Sequence, residues 1–156
     1  MVYSPTAVAN NVLSRAFAEN VPVTPMKLQK ILYFVASEYQ KTTKVRLFEE
    51  PFLTWAYGPV LYSVFNEFRA FSKEKISRYA RNAKNQTLVV DESEDEVLRG
   101  ALNLIWNATQ SMGARELSEL THAEDSAWDK AFQADEETLQ SKDILLDETY
   151  KQQLGL

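Results

Sequence analysis

Cysteine is absent from this 156-residue chain. Disulfides, thiol catalysis and thiolate-held zinc are excluded with it. The single histidine rules out a multi-histidine metal site, and no cofactor or metal is expected. Glycine occurs only four times, and no Gly-rich phosphate loop is among the places it occurs, so nucleotide hydrolysis is not expected. No apolar run approaches the roughly 18 residues a membrane span needs. The first residues, Met1-Val2-Tyr3-Ser4-Pro5, lack a basic stretch followed by an apolar one. A signal peptide is therefore not expected, and the plain reading is a cytoplasmic protein without membrane contact.

What is present is a hydrophobic content of 45%, enough for one good core and a single domain over 1–156. The net charge of −5 conceals a split. Residues 1–90 hold 12 lysines and arginines against 6 acids, a net +6, whereas residues 91–156 hold 5 against 16, a net −11. Such a split marks either a charged interaction surface or simply a well-solvated C-terminal half.

The most informative stretch is Thr-Pro-Met-Lys-Leu-Gln-Lys-Ile-Leu-Tyr-Phe-Val, residues 24–35. Thr24 suits an N-cap, because its hydroxyl can accept from the free N–H groups of the first turn. Pro25 suits the first helical position, where its missing N–H costs nothing. Leu28, Ile31, Leu32 and Val35 make one apolar stripe, and Tyr33, Phe34 and Ala36 fill most of the rest. A helix apolar on nearly every side lies at the centre of its fold.

Ser4-Pro5 repeats the cap-and-proline device, and Val8, Val12, Leu13, Ala16 and Phe17 follow at helical spacing. The first helix is expected over 5–19. Phe52 to Tyr57 alternates large residues and reads as a strand stopped by Gly58-Pro59. Gly58 is expected at positive φ. Leu61, Val64, Phe65, Phe68 and Phe71 predict a third helix. Residues 73–84 form a basic connector, and 86–90 is a second strand candidate, expected to pair with the first in a small ribbon. Ser93 and Glu96 read as a capping box opening a helix to about Ala108. Shorter helices are expected over 114–120 and around Trp128 and Phe132, the latter started by Asp125 or Ser126. Ile144, Leu145 and Leu146 are expected in the core, with Asp147 capping a last helix to about Leu154.

Three of these stretches carry a resemblance. They are Lys27-Leu28-Gln29-Lys30-Ile31-Leu32-Tyr33, then Trp55-Ala56-Tyr57-Gly58-Pro59-Val60, then Leu117-Ser118-Glu119-Leu120-Thr121-His122 with Trp128. In order and spacing they resemble the Panacea antitoxin family, also known as SocA-like or GepA-like phage-associated proteins. The resemblance runs from about Ser4 to the end. It implies a mainly helical domain that neutralises a toxin encoded beside it. It also implies a possible adaptor role, since one relative delivers its toxin to a protease.

The residues themselves offer several candidate sites, each with a plainer reading. His122 stands among Thr121, Glu119, Glu124 and Asp125 and could act as a general base. No nucleophile with an orienting partner accompanies it, and the preferred reading is structural, with Thr121 or the imidazole capping a short helix. Lys27 and Lys30 could present cations to a partner, but an internal ion pair with an acid of the C-terminal half is preferred. Trp55 and Tyr57 share one face of their strand and could anchor an interface, or pack inward. The connector cations Lys73, Lys75, Arg78, Arg81 and Lys84 are the one nucleic-acid signal. A pI of about 5.0 and the acidic half argue against it.

The resulting expectation is a mainly α fold, a compact bundle of about six helices with a minor two-stranded β ribbon. The expected function is an antitoxin that binds a cognate toxin protein directly and has no catalytic residues. A proteolytic adaptor is the alternative within the same class. A hydrolase or transferase using His122, or a DNA-binding regulator, is the alternative outside it. The expected partner contacts are Lys27, Lys30, Trp55 and Tyr57, with Asp135, Glu136, Glu137 and Asp143 steering a basic toxin. Thr24, Pro25, Gly58, Pro59, Thr121, His122 and Trp128 are expected to shape the structure.

Overall fold

A computed structural model describes residues 2–156 of the chain. The fold is mainly α with one small antiparallel sheet. Helix α1 (Pro5–Glu19) is followed by α2 (Pro25–Thr43), then by the hairpin of β1 (Leu53–Trp55) and β2 (Gly58–Val60). Helix α3 (Tyr62–Phe68) follows, and α4 (Glu96–Thr109) lies beyond the connector. The last third holds α5 (Ala114–Thr121), α6 (Ala127–Gln133), α7 (Ser141–Leu146) and α8 (Lys151–Leu154).

Helix α2 is the axis. The Thr24 hydroxyl accepts from the Lys27 N–H at 3.3 Å, so the cap forms as its sequence dictates. Every residue from Lys27 to Ser37 is buried, because α1, α3, β2, α4, α5 and α7 all pack against this helix. Leu28, Leu32, Phe34 and Val35 are wholly inaccessible, and each contributes roughly 1.5–3 kcal/mol of burial. Phe34 packs on the Tyr150 ring at 4.9 Å, and Tyr33 on Phe52 at 5.5 Å. The core therefore draws on both ends of the chain.

Several local expectations change. The ribbon forms, but between 53–55 and 58–60 across a two-residue turn at Ala56-Tyr57, so Gly58-Pro59 lies within the second strand instead of ending the first. Residues 86–90 do not join it. They lie along α1, where Asn10 and Asn11 hold their backbone. Asp95, not Ser93, caps α4, accepting from the Leu98 N–H at 3.0 Å. Ser93 belongs to a preceding 3-10 turn that Asp91 caps.

Two helices stand where one was expected near the end of the chain. Asp147 sits between them and is buried, accepting the Tyr33 hydroxyl at 2.5 Å and the Thr149 N–H at 2.9 Å. It does not cap the last helix, whose N-cap position belongs to Tyr150. Leu146 turns outward, 65% exposed.

Candidate partner-binding site

The three sequence stretches that carry the resemblance meet at the β1–β2 hairpin. The second stretch is the hairpin itself, and the other two supply the groups that bond its backbone. The Trp128 indole N–H from α6 donates to the Trp55 carbonyl at 2.8 Å. The Ser118 hydroxyl from α5 donates to the Tyr57 carbonyl at 2.5 Å. The Lys30 ammonium from α2 donates to the Pro59 carbonyl at 2.9 Å. Three carbonyls, spaced two residues apart, are thus held by three different helices. Bonds of this kind satisfy buried backbone that a two-strand sheet leaves free.

Gly58 lies at the meeting point with φ of +115°, as its sequence context predicts. A Cβ built there would stand 2.5 Å from the Thr121 hydroxyl oxygen and 3.1 Å from Lys30 Cε. The glycine is needed twice over, for its backbone angle and for the close approach of α2 and α5. Pro59 occupies the middle of β2, opposite Thr54.

Lys30 is 1% exposed. Burial pushes its amine down to about 7 from the usual lysine value. Lys27 donates to the Gln110 carbonyl at 2.6 Å, and burial lowers its amine as well, against the opposing pull of Glu116. The expected ion pairs do not form, and both lysines bond backbone carbonyls. Gln29, between them, was missed by reading the sequence. Its carboxamide donates to the Leu61 carbonyl and accepts the Leu61 N–H, at 3.0 and 2.9 Å. The available signal was a lone amide inside an apolar helix.

His122 ends α5, but the cap is its backbone N–H on the Glu119 carbonyl rather than its ring. The imidazole stacks on Trp128 at 4.1 Å, and Trp128 stacks on Phe132 at 4.7 Å. Burial first, and then the Lys30 charge, hold the imidazole below its ordinary value, against Glu119 and the Ala56 backbone. Its Nε2 is buried without a partner, and the Thr121 hydroxyl is spent on the Ser118 carbonyl at 2.6 Å. Replacing His122 by alanine should lower stability by about 1–2 kcal/mol through the lost stack, whereas phenylalanine should restore it. Urea midpoints of the two variants test this, and equal midpoints would refute a packing role.

The hairpin presents Trp55 and Tyr57, which are 37% and 66% exposed. Trp55 stands edge-on to Phe65 at 4.8 Å. Both aromatics border a cavity of about 200 Å³ whose walls include Met26, Lys30, Val60 and Phe65. Tyr57 lies in the turn rather than on β1, so strand alternation does not group it with Trp55, but the two border the same open cavity, whose walls are mostly apolar.

The acidic stretch lies closer to this face than its distance in sequence suggests. The Thr54 N–H donates to the Glu137 carbonyl at 2.8 Å, and Leu53 bridges to Thr138. Residues 137–139 thus run along the outer edge of β1. Asp135 and Glu137 are exposed, and Glu136 accepts from Gln140 at 3.0 Å. Asp143 differs, with its side chain 15% exposed and 3.9 Å from Lys130. In the connector, Arg78 pairs with Glu67 at 3.0 Å and Arg81 donates to Asn85. Lys73, Lys75 and Lys84 remain exposed.

The family model for the SocA-like antitoxin with its Panacea domain matches residues 28–129. The chain belongs to this family. The matched span of the Panacea domain begins inside α2 and ends just past Trp128, so it contains all three carbonyl-holding groups. Antitoxin SocA of Caulobacter vibrioides (strain NA1000 / CB15N) is 27% identical to the chain over 126 residues, covering 79% of this chain and 67% of that protein. No solved structure matches the chain. Among the described residues, no helix of this Panacea protein is long and apolar enough to cross a membrane.

Proposed function

We propose that this protein neutralises a cognate toxin by binding it directly at the hairpin face, and that it does so without catalysis. The observation that carries the reading is the backbone-anchored hairpin, which holds two exposed aromatics beside an apolar cavity. Rigid aromatic side chains around a preformed pocket are the usual anchors of protein interfaces. Membership of an antitoxin family supplies the class of partner. The acidic edge at 135–137 lies next to the anchors, so a basic toxin surface would be steered onto them. Asp143, turned toward Lys130, contributes least to that field. Lys27 and Lys30 act from beneath, by holding backbone, rather than as cations offered to the partner.

The test is co-expression with the product of the adjacent reading frame, followed by binding kinetics. Trp55→Ala with Tyr57→Ala should weaken the complex by about 2–4 kcal/mol, chiefly by faster dissociation. Neutralising Asp135, Glu136 and Glu137 should instead slow association and flatten its salt dependence. Growth rescue untouched by the double alanine variant, with unchanged dissociation, would remove the hairpin face from the interface.

A further inference from the structure

Residues 86–90, Gln-Thr-Leu-Val-Val, have the composition of a strand but no strand beside them. Alternate residues face α1. Asn10 donates to the Leu88 carbonyl at 2.9 Å, and Asn11 both donates to the Val90 carbonyl and accepts the Val90 N–H, at 2.9 and 2.8 Å. Two helix side chains thus occupy the place of a neighbouring strand on one side. The alternation is that of an extended chain, so the N–H and C=O groups of Thr87 and Val89 point the other way. Among the described residues these groups have no hydrogen-bond partner. The whole of 86–89 is exposed, including Leu88 at 52% and Val89 at 55%.

An open edge of this kind is normally blunted by a charge, a proline or a bulge. Residues 86–90 contain neither a charged residue nor a proline. Charge appears only at the two ends, and with opposite sign. Arg81 and Lys84 precede the segment, whereas Asp91, Glu92 and Glu94 follow it. Asp91, Glu94 and Lys84 are all exposed.

We infer that residues 86–90 are the edge through which two copies of this chain pair, as an antiparallel ladder about a twofold axis at Leu88. The parity of the free groups fixes this register. With Leu88 opposite its own copy, Thr87 stands opposite Val89, and both carry outward-facing donors and acceptors. Residues in such a pair exchange both hydrogen bonds. The same register lays the Lys84 end of each strand over the Asp91 end of the other, so the charges complement each other twice. A contact that repeats one patch on both partners is isologous and closes at two chains. A ladder of this length buries little surface, which fits a reversible dimer with a dissociation constant on the order of 10–100 µM. The hairpin face plays no part in it, so the dimer and toxin binding stand or fall separately.

Absence of cysteine gives a clean test. Residue 88 facing itself in a non-hydrogen-bonded pair places the two Cα atoms about 4.5 Å apart, within disulfide range. Leu88→Cys should therefore oxidise to a covalent dimer at least about tenfold faster than Leu146→Cys, a control at a leucine that is somewhat more exposed. Sedimentation equilibrium of the unaltered protein should show concentration-dependent dimerisation. Val89→Pro, which removes an N–H that bonds nothing within the chain, should abolish it while leaving the circular dichroism melting curve in place. A protein that stays monomeric at hundreds of micromolar, with Leu88→Cys no faster than the control, overturns the inference. A dimer indifferent to Val89→Pro overturns it as well, since the contact then lies elsewhere.

Discussion

Gly58→Val should lower the stability of this protein by about 2–6 kcal/mol, enough to leave it largely unfolded in the cell. Two costs add. A β-branched residue at a φ of +115° is strained by its own backbone. Its Cβ would also enter space held by Thr121 and Lys30. Neither neighbour retreats easily, because the Thr121 hydroxyl bonds Ser118 and the Lys30 amine bonds Pro59. Chemical denaturation of Gly58→Val and Gly58→Ala checks the claim. Both should fall, the valine further, and a valine variant within 1 kcal/mol of the parent, roughly the effect of an ordinary surface change, would refute it.

Lys30→Met should move stability the other way. An amine held near 7 by burial, against about 10.4 in an unfolded chain, weakens the folded state. Between those two values the unfolded state binds more protons, so stability rises with pH across that window. The penalty is complete below about pH 7 and absent above the unfolded value. At its fullest it is on the order of 4 kcal/mol, from which the lost hydrogen bond to Pro59 subtracts about 1–3 kcal/mol. The methionine variant should therefore melt higher at pH 6–7 and lose the rise toward pH 10. Above that, the tyrosines buried against acids, Tyr33 with Asp147 and Tyr150 with Glu38, turn the profile down again in both proteins. A variant that is less stable at pH 6 and keeps the parent's slope would show that Lys30 is not the group responsible.

The elements that sequence alone located well are those whose ends carry their own chemistry. Thr24-Pro25 starts α2 where a cap and a ring-locked φ demand it, and Gly58 takes the expected positive φ, although as the first residue of β2 rather than between a strand and a helix. The elements misplaced are those decided by distant partners. The segment 86–90 has the propensity of a strand, yet two asparagine side chains on α1 hold it, and no local pattern in the chain announces that. Asp147 looks like a cap but is drawn inward by Tyr33, which lies over a hundred residues earlier. The candidate site was half legible for the same reason. Its motifs were visible as words in the chain, but Trp55 and Tyr57 come together across the hairpin turn and not by strand alternation. The approach of Glu137 to β1, and the bonding of both lysines to carbonyls, depend on how separate helices meet.

The hold on the Trp55, Tyr57 and Pro59 carbonyls has one more consequence. A surface loop usually surrenders its conformational freedom only when a partner arrives, and affinity is reduced by that ordering. Here three helices fix the hairpin through its backbone as the chain folds, so the entropy of the tip is already gone before any encounter. For a partner bound at the hairpin as proposed, the free surface and the bound surface would then be nearly the same shape.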